Sequence, residues 1–329
     1  MEYRRLGSSG LKVSALSFGS WVTFGKQVDV DLAVDEMKAA LDHGVNFFDN
    51  AEVYEDGQSE LVMGKAIRKL GLLRKDYVFS TKIFWGGSGP NDTGLSRKHI
   101  FEGVRAALDR LQLDYVDLVF CHRPDYETPI EETVRAMSNI VDRGLALYWG
   151  TSEWNAEQIR QAWELAYRYG LNPPTMEQPE YNMFHRERVE IEYAPLYRDC
   201  GLGTTIWSPL ASGVLTGKYA QGIKDGRLTL PGYEWLRKIY ESDEGRRRIA
   251  TVEKLRPLAR ELNATLAQLA IAWTLKNPDV STVITGASRT EQVAENMKAL
   301  DVAAQLDEGV MQRIEDILGN QPQAPRNWR

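Results

Sequence analysis

Four side chains suited to acid–base chemistry lie in the first 122 residues: an acid, a phenol, an amine and an imidazole, which are Asp49, Tyr54, Lys82 and His122. Three of them follow apolar runs with the composition of strands, and the tyrosine lies five positions beyond the acid. An ammonium beside a phenol favours the phenolate and lowers the pKa of the phenol, while a carboxylate would compensate a buried amine. With an imidazole that polarises a carbonyl oxygen, the four groups predict protonation of that oxygen by the tyrosine.

Each of these residues has an ordinary explanation when it is taken alone. Tyr54 would be a loop aromatic, Asp49 a turn residue or helix cap, and His122 a hydrogen-bonded core histidine. Lys82 is harder to explain, because a lysine inside an apolar strand is rarely buried without a partner. Their occurrence at equivalent strand ends favours catalysis, since such groups converge on the rim where α/β barrels have their active sites.

Strand-like and helix-like segments alternate along the chain and must position these groups. Eight apolar runs have the length of strands, at residues 15–18, 45–48, 77–81, 116–120, 145–149, 175–177, 203–207 and 281–285. Apolar residues spaced by three and four between the runs predict helices, and alternating βα units imply a parallel sheet. Eight units favour a closed (β/α)₈ TIM barrel, and no run is followed by the Gly-x-Gly-x-x-Gly pattern of a Rossmann fold.

Other segments predict a hairpin, extra helices and a tail. Residues 3–14 contain two strand-like pieces around a Gly-Ser turn, which indicates a β-hairpin. Residues 211–232 are predicted to be loop and residues 235–262 helix, while Thr128 and Asn155 are predicted N-caps of capping boxes. Because no linker-like segment occurs, the sequence predicts one domain over residues 1–329, with a surface tail at 319–329.

Composition argues against several classes of protein. The 329 residues carry a net charge of -6, which disfavours general binding of nucleic acid or anionic membranes. Two cysteines, no apolar signal segment and no apolar run of about 18 residues predict a cytoplasmic protein without disulfides or membrane spans. Four histidines without a His-x-His or His-Glu-x-x-His pattern argue against a metal-dependent hydrolase.

The motifs around these residues resemble those of the aldo-keto reductases, most closely the branch that contains the beta subunits of voltage-gated potassium channels. The similarity runs from about residue 4 to about residue 320 and is carried by the segments Asp49-Asn50-Ala51-Glu52-Val53-Tyr54, Ser80-Thr81-Lys82, His122-Arg123-Pro124-Asp125, Tyr148-Trp149-Gly150-Thr151-Ser152 and Trp207-Ser208-Pro209-Leu210-Ala211. It implies a barrel that binds NADPH and reduces aldehydes or ketones, with Tyr54 as proton donor and Lys82 and Asp49 tuning it. It also implies a homo-oligomer, and it suggests a tetramer.

Two departures from that branch bear on function. The channel subunits have asparagine in place of His122, which typical reductases of the family retain, so the complete catalytic set favours an active enzyme. They have arginine in place of Glu153, which puts one contact with the cofactor in doubt. The chain starts at the barrel and is therefore expected to lack the N-terminal extension by which some channel subunits block the pore.

Trp21 and Trp85 are predicted to form apolar walls for the carbonyl substrate.

The resemblance also implies a set of cofactor-binding residues. Ser288 and Glu291 form a predicted capping box, and free N–H groups at such a helix start attract anions. Arg289 in the first turn would oppose the helix dipole unless an anion binds there, and the 2′-phosphate of NADP is the expected anion. The full implied set is Ser20, Trp21, Gln27, Asp49, Ser152, Gln178, Trp207, Ser208, Pro209, Leu210, Ala211, Ser212, Lys218, Arg227, Gly286, Ser288, Arg289, Gln292, Glu295 and Asn296.

The sequence leaves a second class of function open. The chain would then be a cofactor-loaded subunit that docks on a membrane channel and senses redox state, since the resemblance to the channel branch covers the whole fold. The physiological substrate does not follow from the fold, because pocket loops determine it.

Overall fold

The chain divides into two compact units. The first comprises Met1–Pro179, Glu192–Trp207 and Asp279–Ala294, and the second comprises Glu180–Ile191, Ser208–Pro278 and Glu295–Arg329. The computed structural model describes residues 1–21, 23–25, 28–224, 226–230 and 232–324, and at Arg227 it describes the backbone alone. The single domain expected from the sequence stays a prediction. Within the described ranges, no helix is long and apolar enough to cross a membrane.

A closed barrel of eight parallel strands lies in the first unit and confirms the predicted fold. The strands follow one another around the barrel in chain order, and the last pairs with the first to close it. Their carboxyl ends therefore share one rim. The barrel strands are β3 (Leu16–Gly19), β4 (Phe47–Asp49), β5 (Val78–Ile83), β6 (Val116–Cys121), β7 (Ala146–Ser152), β8 (Met176–Gln178), β9 (Gly203–Ile206) and β10 (Thr282–Thr285), after the hairpin strands β1 (Tyr3–Arg5) and β2 (Lys12–Ser14).

Helices alternate with the barrel strands as the periodicity predicts. The apolar stripe Ile100, Val104, Leu108 and Leu111 is buried on α3, where it packs on the sheet side of the helix. In chain order the helices before β10 are α1 (Val30–Asp42), α2 (Gln58–Leu70), α3 (Arg97–Leu111), α4 (Ile130–Asp142), α5 (Ala156–Tyr169), α6 (Ala194–Cys200), α7 (Glu234–Glu241), α8 (Asp243–Glu261) and α9 (Leu266–Leu275). Those after β10 are α10 (Thr290–Met297), α11 (Ala299–Gln305) and α12 (Glu308–Leu318).

Some strands extend further than their apolar runs predicted. Asp49 is the last residue of β4 rather than the residue after it, and β5 continues through Lys82 to Ile83. Lys82 pairs in register with Phe120 of β6. The ladder continues because its hydrogen bonds are made by the backbone and do not depend on side-chain polarity. His122 directly follows β6, which ends at Cys121, as predicted.

The hairpin closes the amino-terminal end of the barrel. Leu6 and Val13 are fully buried in one apolar cluster with residues of four barrel strands, which are Phe47, Val78, Leu118, Phe120 and Met176. Gly7 permits the close approach, because it has a φ of +56° and a Cβ there would lie 2.2 Å from the Gly201 carbonyl oxygen. This cluster packs apolar side chains of the hairpin against those of the barrel strands.

One predicted capping box forms and another does not. Asn155 caps α5 by accepting from the N–H of Gln158, whose side chain completes the box. The prediction at Thr128 is wrong: its hydroxyl donates to Asp125 Oδ2 at 2.7 Å, and α4 begins after Pro129 without a side-chain cap. A carboxylate is a stronger acceptor than competing neutral groups, so Asp125 takes the hydroxyl that the pattern assigned to the helix.

The segment between β9 and β10 contains more short helices than predicted. The predicted loop at 211–232 includes 3₁₀ turns at Ala211–Thr216 and Arg227–Thr229. The single helix predicted over 235–262 is divided into α7 and α8 at Ser242, whose backbone is extended and whose Oγ accepts from the N–H of Gly245. Serine at this position starts a new helix because it satisfies an N–H that the preceding helix cannot.

Glu36 on α1 is a buried acid that should make stability depend on pH. Neither carboxyl oxygen has a hydrogen-bond partner in the described part of the chain, and burial raises the pKa to about 8 from 4.5. Between pH 4.5, the ordinary pKa, and about pH 8, the pKa in the folded state, Glu36 keeps its proton when folded and loses it when unfolded. The free energy of unfolding should therefore fall as pH rises through this interval.

Replacing Glu36 by glutamine should remove this dependence. The gap between the urea midpoints of Glu36→Gln and the unmodified protein should widen as pH rises through that interval. Asp35→Asn changes an exposed acid on the same helix and should leave the slope of stability against pH unchanged. A constant gap for Glu36→Gln would show that Glu36 ionises normally in the folded state.

Candidate active site

The four predicted catalytic side chains come together at the carboxyl-terminal rim of the barrel. Asp49 ends β4, Lys82 lies one residue before the end of β5, and His122 follows β6. Tyr54 lies in the connection from β4 to α2. The convergence follows from neighbouring parallel strands, which bring residues distant in sequence to the same edge.

Lys82 is fully buried and hydrogen bonds through all three of its N–H groups. Its Nζ donates to Asp49 Oδ2 at 2.6 Å, to the Asn50 carbonyl oxygen at 2.7 Å and to Tyr54 Oη at 3.0 Å. Burial lowers the pKa of Lys82, but Asp49 and Tyr54 together outweigh it and the pKa is raised. The amine therefore stays charged. Since an ammonium has donors and no acceptor, the tyrosine oxygen accepts and its own proton remains for another acceptor.

Asp49 is held in a fixed orientation by three donors. Its Oδ2 pairs with Lys82, and its Oδ1 accepts from Ser80 Oγ at 2.7 Å and from Gln178 Nε2 at 3.1 Å. Only 4% of its side-chain surface is exposed. A buried carboxylate with this many donors is a stable counter-charge for the buried ammonium.

The pKa of Tyr54 is raised, whereas the neighbouring amine alone predicted a lower value. Burial raises the pKa, Lys82 lowers it by less, and Asp49 adds to the increase. Only the tertiary environment reveals this balance, because desolvation depends on what packs around the hydroxyl. The phenol consequently carries its proton at neutral pH, as a proton donor must.

His122 is a neutral imidazole at neutral pH. Burial, followed by the charges of Lys82 and Arg123, holds the pKa of the ring well below its ordinary value. Its Nδ1 is buried and has no hydrogen-bond partner among the described residues. The ring centroid lies 5.9 Å from that of Tyr54, so both groups face the same small region of the rim.

Tryptophan rings surround the tyrosine and the histidine. The ring of Trp21 lies 6.4 Å from that of Tyr54 and 6.0 Å from that of Trp207, and the ring of Trp85 lies 5.2 Å from that of His122. Trp85 keeps 38% of its surface exposed. The predicted walls at Trp21 and Trp85 thus border the catalytic groups in an apolar, aromatic setting.

Glu153 has a contact that the sequence did not indicate. Its Oε1 accepts from Trp207 Nε1 at 3.0 Å, and its backbone has a φ of 59°. A non-glycine residue in this left-handed conformation is uncommon and often lies at a functional site. Glu153 therefore fixes the orientation of Trp207 at the rim.

Glu52 and His99 fix the loop that carries Trp85, a role that the sequence pattern did not predict. Glu52 Oε1 accepts from the Phe84 N–H at 2.6 Å and lies 3.1 Å from His99 Nε2. The backbone N–H of Glu52 donates to the Lys82 carbonyl oxygen. The carboxylate thus joins the Tyr54 connection to the segment after β5. The sequence signal for this role was an acid two residues before a candidate catalytic tyrosine. If that acid is buried, it needs hydrogen-bond partners.

Several predicted cofactor residues of the barrel have internal hydrogen bonds. Ser20 Oγ donates to the Asp49 carbonyl oxygen at 3.1 Å and accepts from Ser59 Oγ at 2.8 Å. Ser152 Oγ donates to the Gln178 carbonyl oxygen at 2.8 Å. These bonds order the strand ends, and the contacts of these residues with a cofactor stay predictions.

The start of α10 differs from the predicted capping box. The helix begins at Thr290, so Arg289 precedes it, and Gln292 Oε1 rather than Glu291 accepts from the Ser288 N–H, at 2.9 Å. The amide oxygen that reaches back to this N–H therefore comes from the residue after the one that the pattern assumed. Arg289 is exposed directly before the helix, next to Ser288, and Gly286 is exposed at the end of β10.

In the second unit, the predicted cofactor segment has a strained backbone. Ser208, Ala211 and Ser212 have φ values of 58°, 47° and 56°, although none is glycine, and Pro209 and Leu210 lie between them. Such conformations are costly and cluster where ligands bind. Lys218 lines a cavity of about 480 Å³ with other basic residues and one acid, which are Lys224, Arg256, Arg260 and Glu253.

For the remaining predicted cofactor residues, the structure gives little information about contact with a cofactor. Glu295 and Asn296 lie on α10, where the Glu295 carbonyl oxygen accepts from Gln268 Nε2. Gln27 and the side chain of Arg227 lie outside the described residues.

The residues of each unit fit an anionic dinucleotide. In the first, hydroxyl and amide groups lie at strand ends and an exposed guanidinium precedes a helix. In the second, left-handed residues in a short segment are typical of backbones that turn N–H groups toward anions. The chemistry of both sets of donors suits phosphate and carboxamide groups.

Comparison with known proteins identifies the family. A family model described as "Aldo/keto reductase family" matches residues 15–318. The chain belongs to the aldo/keto reductase family. Two relatives are named "Probable voltage-gated potassium channel subunit beta": one from Arabidopsis thaliana is 57% identical and one from Oryza sativa subsp. japonica is 56% identical, each over 100% of both chains. As an aldo/keto reductase, the chain is expected to carry out oxidoreduction with a nicotinamide cofactor.

Proposed function

We propose that this aldo/keto reductase is an NADPH-dependent enzyme that reduces aldehydes and ketones to alcohols, with Tyr54 as the proton donor. The observation that carries the proposal is the arrangement at the rim, where Lys82 Nζ donates to Tyr54 Oη at 3.0 Å while Asp49 compensates its charge. Because the oxygen of Tyr54 accepts a hydrogen bond from the ammonium, its O–H points away from Lys82 and can be donated to a carbonyl oxygen.

The side chains of this site would each perform one task. Tyr54 gives its proton to the carbonyl oxygen, and Lys82 stabilises the phenolate that is left, because a charged donor favours the ionised form. His122, neutral at neutral pH, hydrogen bonds to the same oxygen and helps to orient the carbonyl. The tryptophans exclude water from the reacting carbon, which strengthens every electrostatic contact in the site.

Residues that the resemblance implies are proposed for the cofactor in each unit, taken by itself. NADPH, when bound, would supply the hydride that the carbonyl carbon gains. In the first unit Ser152 and Gln178 are proposed for the carboxamide, and Arg289 with Ser288 for the 2′-phosphate. In the second unit Lys218 and the strained segment that begins at Ser208 are proposed for the other phosphates.

Consumption of NADPH, measured against a panel of aldehydes, ketones and quinones, tests this proposal. We expect multiple turnovers with simple aldehydes, and the absence of turnover with every member of the panel would contradict the enzyme assignment. The choice of a quinone over an aldehyde would narrow the substrate class without changing the role of Tyr54.

Replacing Arg289 should weaken the preference for NADPH over NADH. Its guanidinium lies exposed beside Ser288, and a charge-assisted contact with phosphate is worth about 1.5–3 kcal/mol, so Arg289→Ala should reduce the ratio of the two dissociation constants by about 10-fold or more. Fluorescence titration with each cofactor measures the ratio. Arg97→Ala, at the start of α3, should leave it unchanged. An unaltered ratio in Arg289→Ala would remove this residue from the phosphate site.

The names of the relatives favour a second candidate function. From them we infer, as the alternative, a cofactor-loaded subunit that docks on a potassium channel and reports redox state. Rapid multiple turnover favours the enzyme, whereas slow oxidation of one bound NADPH per chain together with stable co-purification with a channel favours the subunit. The homo-oligomer, with a tetramer as the expected form, stays a prediction that sedimentation would test.

A further inference from the structure

Arg123 lies at the rim beside the proposed catalytic groups and is half-buried between aromatic rings. It directly follows His122, and its Cζ lies 5.6 Å from the ring centroid of Trp85 and 6.0 Å from that of Trp207. Its charge helps to lower the pKa of His122 and opposes the rise in the pKa of Tyr54. The guanidinium is therefore within electrostatic reach of both groups that would contact a carbonyl.

The hydrogen bonds of Arg123 leave most of its donors unused. Nη1 donates to the His122 carbonyl oxygen at 2.6 Å and to Ser152 Oγ at 3.2 Å. In the described part of the chain, Nε and Nη2 have no hydrogen-bond partner, and no carboxylate forms an ion pair with the side chain. A guanidinium carries five N–H donors in a planar fork, and two of its three nitrogens thus remain for a ligand.

Arg123 is half-buried and has no carboxylate partner among the described residues, so binding an anion would stabilise its charge. Removing a charge from water is unfavourable unless a counter-charge compensates it. Glu153, the acid next to Ser152, instead accepts from the indole of Trp207. Arginine is the side chain best matched to a planar carboxylate, which it binds through two parallel hydrogen bonds.

The aromatic walls define the rest of the ligand. The ring of Trp85 lies 5.2 Å from that of His122 and 5.6 Å from Arg123 Cζ. The ring of Trp21 lies 6.4 Å from that of Tyr54 and meets that of Trp207 edge-on at 6.0 Å. A flat ring can stack among these indoles. Its carbonyl would then reach Tyr54 and His122 while an acid group on the same ring reaches Arg123.

We propose that the substrates are aromatic aldehydes or ketones that carry a carboxylate, and that Arg123 binds this carboxylate. The proposal rests on the proposed reductase function and names its substrate class. In the reaction, the carbonyl carbon gains a hydride from NADPH, the oxygen gains the Tyr54 proton and the C=O π bond breaks. The products are the hydroxy acid anion and NADP⁺, the carboxylate is unchanged, and Tyr54 regains its proton from solvent.

A matched pair of substrates tests the proposal by turnover. Para-formylbenzoate and its methyl ester differ in charge but have the same ring and aldehyde. We expect kcat/KM to be about 10-fold or more higher for the acid, which corresponds to one good charged contact. In Arg123→Met the ratio of the two values should fall to about one, and in Arg123→Gln, which keeps amide donors without the charge, it should fall similarly.

Arg143→Met is the matched control variant. Arg143 is exposed and lies over the ring of Phe101, 5.4 Å from its centroid, so its loss removes an arginine beside an aromatic ring away from the rim. It should preserve the ratio of the unmodified protein. A ratio near one in the unmodified protein, or an unchanged ratio in both Arg123 variants, would overturn the proposal even if the ester is reduced well.

Binding without turnover separates this proposal from the proposed function. Trp85 and Trp207 flank Arg123, so indole fluorescence should report titration with the alcohol product, para-(hydroxymethyl)benzoate, and with its methyl ester. We expect about 10-fold tighter binding of the acid, lost in Arg123→Met. Selective binding without turnover of either aldehyde would support the anion site and overturn the reductase, whereas equal binding of acid and ester would overturn the anion site.

Discussion

Tyr54→Phe should reduce kcat for aldehyde reduction by about 10²–10⁴-fold, the range over which a positioned proton donor contributes to rate. The substitution removes the hydroxyl that Lys82 contacts at 3.0 Å and keeps the ring that packs 6.4 Å from Trp21. The apolar wall should therefore be preserved while the proton is lost. Steady-state consumption of NADPH with a simple aldehyde measures the effect.

Cofactor binding in Tyr54→Phe provides the control for folding. The dissociation constant of NADPH, measured by fluorescence titration, should change little, because the hydroxyl is assigned to the substrate oxygen. Tyr167→Phe removes a hydroxyl from an exposed tyrosine that stacks on Trp163 and should leave turnover unchanged. Turnover of Tyr54→Phe within a few-fold of the unmodified protein would refute the role of Tyr54.

Lys82→Met should both destabilise the protein and abolish turnover. The variant would leave Asp49, with 4% of its side chain exposed, as a buried carboxylate without its cationic partner. Breaking a buried ion pair in this way typically costs about 3–5 kcal/mol. The phenolate formed by proton transfer would also lose the charge that stabilises it. Urea unfolding and NADPH consumption measure the two effects separately.

The double variant Asp49→Asn/Lys82→Met distinguishes the two roles of the lysine. It removes both charges, so it should recover much of the stability lost in Lys82→Met, because a neutral amide is far less costly to bury than an unpaired carboxylate. Turnover should stay low in both variants, since neither has the ammonium beside Tyr54. Recovery of turnover together with stability would mean that the lysine has only a structural role.

The fold could be predicted because it depends on local periodicity. Eight apolar runs separated by amphipathic segments specify βα units, and the handedness of their crossovers leaves few ways to arrange them. The convergence of Asp49, Lys82 and His122 followed from the same pattern, since strand ends of a parallel barrel share a rim. NADP specificity and the roles of the site residues stay predictions, although the family assignment and the geometry support them.

Predictions that depended on competition between groups were less successful. Thr128 was expected to cap α4, but Asp125 binds its hydroxyl. Ser242 divides a predicted single helix, because its side chain satisfies a new helix start. A sequence pattern identifies which groups can pair, whereas the nearest and strongest partner depends on where the chain brings each acceptor.

The sequence by itself determined the barrel and the four chemical groups at its rim, because hydrophobic periodicity and residue type are local properties of the chain. Only the tertiary structure determined which of those groups carry a proton at neutral pH. It also determined that two nitrogens of Arg123 have no hydrogen-bond partner among the described residues. Burial raises the pKa of Tyr54 more than Lys82 lowers it, and Glu153 bonds to Trp207. Desolvation and the choice of hydrogen-bond partner depend on everything that surrounds a group in space, which residue order does not specify.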